Sequence, residues 1–263
     1  AQNMGENGQH NLESHMSEPR VRWLEIELTY TCGMRCHNCN RMTQLLPGQP
    51  YEMISIERIE WLISESLRLG YPWEHWWLVG GEPTTHPELL EICEMISRYR
   101  DLRGPDRFAV GLATNGHGDH TQRVLARLRR AYPHMKILNS AKSGPINHNF
   151  VAVCLAPIDK TPPTRYIGCG VSWRCGIALN YKGFYPCAVA AAIDRIFDIG
   201  KYITQMKDIT TESIAELWQV YCALCGYHGE VRYCDDRTLV SPTWAKAIRA
   251  KNLNVERIEV IED

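Results

Sequence analysis

The stretch Thr29-Tyr-Thr-Cys-Gly-Met-Arg-Cys-His-Asn-Cys-Asn-Arg41 puts thiols at Cys32, Cys36 and Cys39 on one short loop. Three thiolates so spaced can hold three corners of a four-iron cubane, a cluster that ordinarily takes four cysteines. One iron is then left open, and an open coordination position is where a metal site does chemistry. The competing reading is half of a structural zinc site. Structural zinc prefers paired Cys-x2-Cys units within about 12–20 residues of each other. Here the next such pair, Cys222 and Cys225, lies far down the chain.

Upstream of the loop, residues 21–28 alternate in the manner of a strand. Downstream, residues 55–69 carry apolar side chains at Ile56, Ile59, Leu62, Ile63 and Leu67 and close at Gly70, which predicts an amphipathic helix. Residues 76–79 read as a short buried strand, and Pro87 suits the first turn of a helix running to about Arg100. A third strand over 108–112 leads into Thr114-Asn-Gly116, a helix follows over 121–131, and a fourth strand over 135–138. Residues 150–155 complete the series as a fifth strand. Such alternation predicts parallel βα units. The gap before the fifth strand is too short for a crossover helix.

Between the second strand and the helix after it stands Gly80-Gly-Glu-Pro83. Glycines let backbone approach a ligand closely, and Glu82 offers an acceptor for an ammonium. Alone the run is an ordinary turn signal. With the three cysteines it resembles the radical S-adenosylmethionine (radical SAM) superfamily, in which a Gly-Gly-Glu motif receives the methionine amino group of SAM. The resemblance implies an abbreviated, open TIM-like (β/α) barrel over residues 16–160. It implies a 4Fe-4S cluster on Cys32, Cys36 and Cys39, and SAM held by Gly80, Gly81 and Glu82, with Thr114 and Asn115 near the pocket. Asn139, Ser140 and Lys142 follow the fourth strand, where ligand sites of parallel sheets lie, and the resemblance makes them candidate SAM contacts. One departure is visible. Many members carry an aromatic residue before the third cysteine, close to the adenine; this chain has Asn38.

A second cysteine set fills the last hundred residues: Cys169, Cys175, Cys187, Cys222, Cys225 and Cys234. Residues 175–187 have a hairpin pattern with Gly183 at the turn, which would bring Cys175 and Cys187 together. Residues 211–222 read as a helix that delivers Cys222 and Cys225 at its end. Those four make a complete four-thiolate site, with Cys169 or Cys234 as replacements. The arrangement resembles the twitch domain, a shortened SPASM extension holding an auxiliary iron–sulfur cluster, over residues 161–263. A structural zinc site is the alternative. Cys93 and Cys154 read as core residues, with Cys154 a candidate hydrogen donor.

The chain has 263 residues, 44% hydrophobic and 22% charged, with net charge −1. That is a globular composition, without the basic excess of a nucleic-acid binder. No apolar run reaches the ~18 residues of a membrane span. Eleven cysteines without a secretion signal predict metal ligation in a reducing cytoplasm. Residues 1–15 read as an expression tag. The resemblance implies reductive cleavage of SAM to a 5′-deoxyadenosyl radical, hydrogen abstraction from a small molecule, and a flavodoxin- or ferredoxin-type electron donor. Dehydrogenation or epimerisation of a sugar, aminocyclitol or other natural product is the first expectation. A peptide-modifying maturase is the second, and a non-enzymatic zinc-binding interaction module the third.

Overall fold

The computed structural model describes residues 20–144, 150–160, 165–229, 232–234, 236–251, 253 and 258–261. The expected tag and the boundary at 160/161 therefore fall largely outside the described residues. From the first strand the chain runs β1 (Trp23–Thr29), α1 (Ile56–Leu69), β2 (His75–Gly80), α2 (Leu89–Arg103), β3 (Ala109–Thr114), α3 (Asp119–Ala131) and β4 (Lys136–Asn139). It continues through α4 (Gly170–Cys175), β5 (Ile177–Leu179), β6 (Phe184–Tyr185), α5 (Ala188–Phe197), α6 (Thr211–Tyr221), β7 (Thr238–Val240), α7 (Pro242–Ala250) and β8 (Ile258–Val260).

One sheet has the order β4-β3-β2-β1-β5-β6, and a small second sheet joins β7 to β8. β1 to β4 are neighbours in sequence order and parallel, each pair joined by a helix. Sequential parallel neighbours are the arc of a barrel, so the fold is α/β, a partial TIM-like barrel. Side chains alternate along β1: Leu24, Ile26 and Leu28 join the apolar core, while the intervening Glu25, Glu27 and Thr29 are polar and buried. The core continues into Ile59 and Leu62 of α1, Ile92 and Ile96 of α2, and Leu125 and Leu128 of α3. Local signals set the helix ends. The Ser55 hydroxyl accepts the Arg58 amide at the start of α1, and Gly70, at φ +57°, closes it.

The expected fifth strand is corrected. In residues 150–155 only Val151 pairs, in an isolated bridge to Tyr233. The Ala152 amide donates to Arg232, the Val153 carbonyl accepts from Gly226 and the Cys154 carbonyl from Ser241. An apolar run buried on all sides reads alike whether a sheet or a C-terminal layer covers it. The sheet's fifth strand is instead β5, which pairs parallel with the free edge of β1, Leu24 opposite Ile177. β5 and β6 form the expected hairpin, with Asn180 Oδ1 accepting the Lys182 and Gly183 amides in its turn. The hairpin thus lies in the same sheet as β1.

Candidate functional site

Cys32, Cys36 and Cys39 line an open cavity of about 520 Å³ at the carboxyl ends of β1 to β4. Gly80 and Gly81 reach it from β2, Thr114 and Asn115 from β3, and Asn139, Ser140 and Lys142 from β4. The Met34 amide donates to Cys32 Sγ at 3.4 Å, and Asn115 Nδ2 at 3.7 Å. Burial pushes the Cys32 thiol up to about 11, against the Met34 hydrogen bond and with the help of Cys39, Glu82 and Cys36. A metal ligand here must give up its proton on binding.

Glu82 is buried, bonded to residues of the cavity wall. Its Oε1 accepts from the Thr84 amide (3.1 Å), the Thr84 hydroxyl (2.8 Å) and the Thr114 hydroxyl (2.8 Å), and its Oε2 from the Asn115 amide (2.8 Å). The carboxylate is thus a clamp that fixes the Thr114–Asn115 turn beneath the cavity. The two glycines have a second reason as well. A Cβ at Gly80, φ +141°, would stand 2.2 Å from the Thr29 carbonyl oxygen, and one at Gly81 2.5 Å from that of Thr31. They let β2 close onto β1 as much as they open the wall to a ligand.

Arg41 carries the interior charge. Its guanidinium lies 2.9 Å from Glu25 Oε2 and 2.6 Å from Glu27 Oε1. Burial pushes the Glu27 carboxyl up, with Arg41 pulling it back. Glu25 and Arg41 both reach the cavity wall. Among the described residues lining it, Glu25 is the one carboxylate and Phe150 the one aromatic ring, with Lys142 Nζ 5.0 Å from that ring. Glu25, Arg41 and Phe150 escaped the sequence reading. The available signal was a pair of glutamates alternating with apolar residues in a buried strand. Trp76 packs with Trp73, Tyr99 and Phe108 in the core.

Asn38 is fully buried and faces away from the cavity. Its φ of +53° is a left-handed conformation that asparagine tolerates. Its Nδ2 donates to the carbonyls of Cys234 (3.1 Å) and Arg237 (3.2 Å), and its Oδ1 accepts from the Leu239 amide (3.0 Å). A side-chain amide bonding residues 237 and 239 imitates a parallel neighbour strand on β7. The departure from the aromatic pattern therefore ties the cysteine loop to the C-terminal strand.

The second cysteine set gathers differently from the expectation. Cys169, Cys187, Cys222 and Cys225 line one small closed cavity of about 20 Å³, with Val189, Ile193, Trp218, Tyr221 and His228 around them. Cys175 is not among them. The strand begins only at Ile177, after Gly176 (φ +79°) has ended α4 and laid the chain against Trp23. Cys175 is left facing β1, hydrogen-bonded to Glu25. Cys234 donates to Asp236 at 3.1 Å and lies by the first loop. Cys154 is buried in the core, with its thiol near enough to Cys39 for the two to interact. Cys187 caps α5, its Sγ accepting the Ala190 amide at 3.4 Å, where a helix start favours a thiolate. Burial pushes the thiols of Cys187, Cys222 and Cys225 up.

Residues 26–139 match the family model described as Radical SAM superfamily. This segment is a radical SAM domain. GTP 3′,8-cyclase of Synechococcus elongatus is 31% identical over 97 residues, 37% of this chain and 28% of that protein. The same-named enzyme of Aquifex aeolicus is 31% identical over 107 residues, 38% and 29% of the two chains. The chain thus spans under a third of the length of these relatives. The crystal structure of BtrN in complex with AdoMet and 2-DOIA matches at TM-score 0.46 and 12% identity, over 80% of this chain and 89% of that one. The radical SAM superfamily is one of enzymes that carry a 4Fe-4S cluster and SAM. No helix among the described residues is long and apolar enough to cross a membrane.

Both sites suit soft-metal chemistry. At the first, three thiols stand beside polar groups from three strand ends, in a cavity of the size that encloses small ligands. At the second, the donors are four thiols with no oxygen ligand among them. Two ring nitrogens on that wall, Trp218 Nε1 (an N–H donor) and His228 Nε2, meet no hydrogen-bond partner among the described residues. Each such buried orphan costs about 1–3 kcal/mol. The space itself is about that of one water. No three His, Cys, Asp or Glu side chains among the described residues converge as a single ion would hold them.

Proposed function

We propose that this chain is a radical SAM enzyme acting on a small molecule, with a second iron–sulfur cluster in its C-terminal part that accepts or relays one electron. What carries the reading is that Cys32, Cys36 and Cys39 share one open cavity with Gly80, Gly81, Thr114, Asn115, Asn139, Ser140 and Lys142. When bound, the cluster and SAM supply a carbon-centred radical for hydrogen abstraction, the hard chemistry that a protein frame orients and shields.

The chain's own residues have separable tasks. Cys32, Cys36 and Cys39 hold the cluster. Lys142 supplies a cation for the SAM carboxylate, Asn139 and Ser140 offer polar contacts to the ribose, and Phe150 offers a face for the adenine. Glu82 holds the turn that presents Thr114 and Asn115. Glu25, on the wall and oriented by Arg41, takes the proton that leaves when a substrate alcohol becomes a ketone. Dehydrogenation of a sugar- or aminocyclitol-like alcohol uses all of these groups. The electron donor to the first cluster is a flavodoxin or ferredoxin.

Anaerobic incubation with SAM and a reductant tests the proposal. Formation of 5′-deoxyadenosine by the native chain, absent when all three cysteines are alanine, is the expected result; equal formation by both proteins contradicts it. A structural zinc ion at the second site is the competing reading: the water-sized cavity suits a single ion, whereas the lack of three converging ligand side chains among the described residues counts against one. Metal analysis separates iron with sulfide from zinc.

A further inference from the structure

The wall of the second cysteine site holds more than thiols. Trp218 stands on α6, one turn before Cys222, and is 2% exposed. Its indole edge packs against Gly168, next to Cys169, where a Cβ would lie 2.6 Å from the ring. His228 closes a 3-10 turn just after Cys225, its amide donating to the Cys225 carbonyl at 3.0 Å. Its ring meets Tyr166 edge-on at 5.3 Å. Both residues line the cavity of the four cysteines. Both carry a buried ring nitrogen, Trp218 Nε1 and His228 Nε2, without a hydrogen-bond partner among the described residues. An indole N–H can only donate. A buried donor is ordinarily satisfied, so an orphan beside a site marks the acceptor that the site is built for.

We infer that Trp218 and His228 donate N–H···S hydrogen bonds to a second iron–sulfur cluster held by Cys169, Cys187, Cys222 and Cys225, and thereby raise its reduction potential. The inference rests on the proposed cluster at that site. A cluster brings sulfide acceptors as well as thiolates. Reduction adds a negative charge to those sulfurs, and hydrogen bonds to cluster sulfurs are among the levers that set potential. Donors fixed in an apolar pocket favour the reduced form most, because little solvent competes with them. Trp218 and His228 are positioning residues for an electron acceptor.

The test uses the full chain carrying Cys32→Ala, Cys36→Ala and Cys39→Ala, so that only the second site takes iron and sulfide. Its midpoint potential is read by redox titration followed by electron paramagnetic resonance. Trp218→Phe keeps the ring and removes the donor, and His228→Phe does the same for the imidazole. Each is expected to lower the reduced-to-oxidised ratio about tenfold at the parent's midpoint, 59 mV for one electron. His228→Gln, which retains an N–H, is expected to stay at the parent's potential. Unchanged midpoints in both phenylalanine variants, with iron retained, overturn the inference. Zinc in place of iron overturns the cluster reading on which it rests, a separate result visible in the metal content before any titration.

Discussion

The two cysteine sites differ first in how much room they leave. The first opens on about 520 Å³ bordered by strand ends, and the second closes on about 20 Å³ among apolar side chains. An open site can admit a cofactor and a substrate, whereas a closed one can only hold a group that the protein fully surrounds. Their thiols are also presented differently. Cys32, Cys36 and Cys39 share one loop, so their relative placement depends on that loop's anchors, Asn38 above all. The second four come from three places, before α4, before α5 and after α6, so metal there would staple separate elements. The comparison predicts that the first site governs chemistry and the second governs electron storage and stability.

The largest effect should come from the first site. Replacing Cys32, Cys36 and Cys39 by alanine should abolish 5′-deoxyadenosine formation and leave second-site metal in place; loss of both metals together would erase the distinction. Next, Cys169→Ala should remove most second-site metal while Cys175→Ala retains it, as measured by metal content after gel filtration. The reverse order would restore Cys175 as the ligand. Glu82→Ala should weaken SAM binding about tenfold or more, by loss of charged hydrogen bonds of ~1.5–3 kcal/mol. Because Glu82 acts through the turn, the amides of Thr114 and Asn115 should exchange faster even without SAM; unchanged exchange would return Glu82 to direct contact. The smallest effect is that of Asn38→Gly, which suits the left-handed backbone and deletes only the side-chain bonds. Exchange of the Leu239 amide should rise by about tenfold, the worth of one buried hydrogen bond.

Much of this was legible in the sequence, and the reasons differ by residue. The thiol triad and the two glycines stand out because their chemistry depends on close spacing along the chain. Helix α1 announces its ends through Ser55 and Gly70, which act on their own neighbours. Thr114, Asn115, Asn139, Ser140 and Lys142 were found because parallel strands deliver their carboxyl ends to one place. What stayed hidden depends on long-range placement. Residues 150–155 carry a strand's apolar run, yet the layer that buries them is the C-terminal one. Cys175 and Cys169 are indistinguishable by spacing, and the short α4 with its Gly176 sets their thiols in different places. Asn38 looked like a missing aromatic because its partners lie some two hundred residues downstream.

The contrast between an open and a closed site is tested most directly by adding SAM to the reduced, iron-loaded protein and following the electron paramagnetic resonance of both clusters. SAM should shift the signal that is lost in the Cys32, Cys36 and Cys39 variant, and leave unmoved the signal that is lost when Cys187 is replaced. A SAM-induced shift in the Cys187-dependent signal, or no shift in either, would contradict the account.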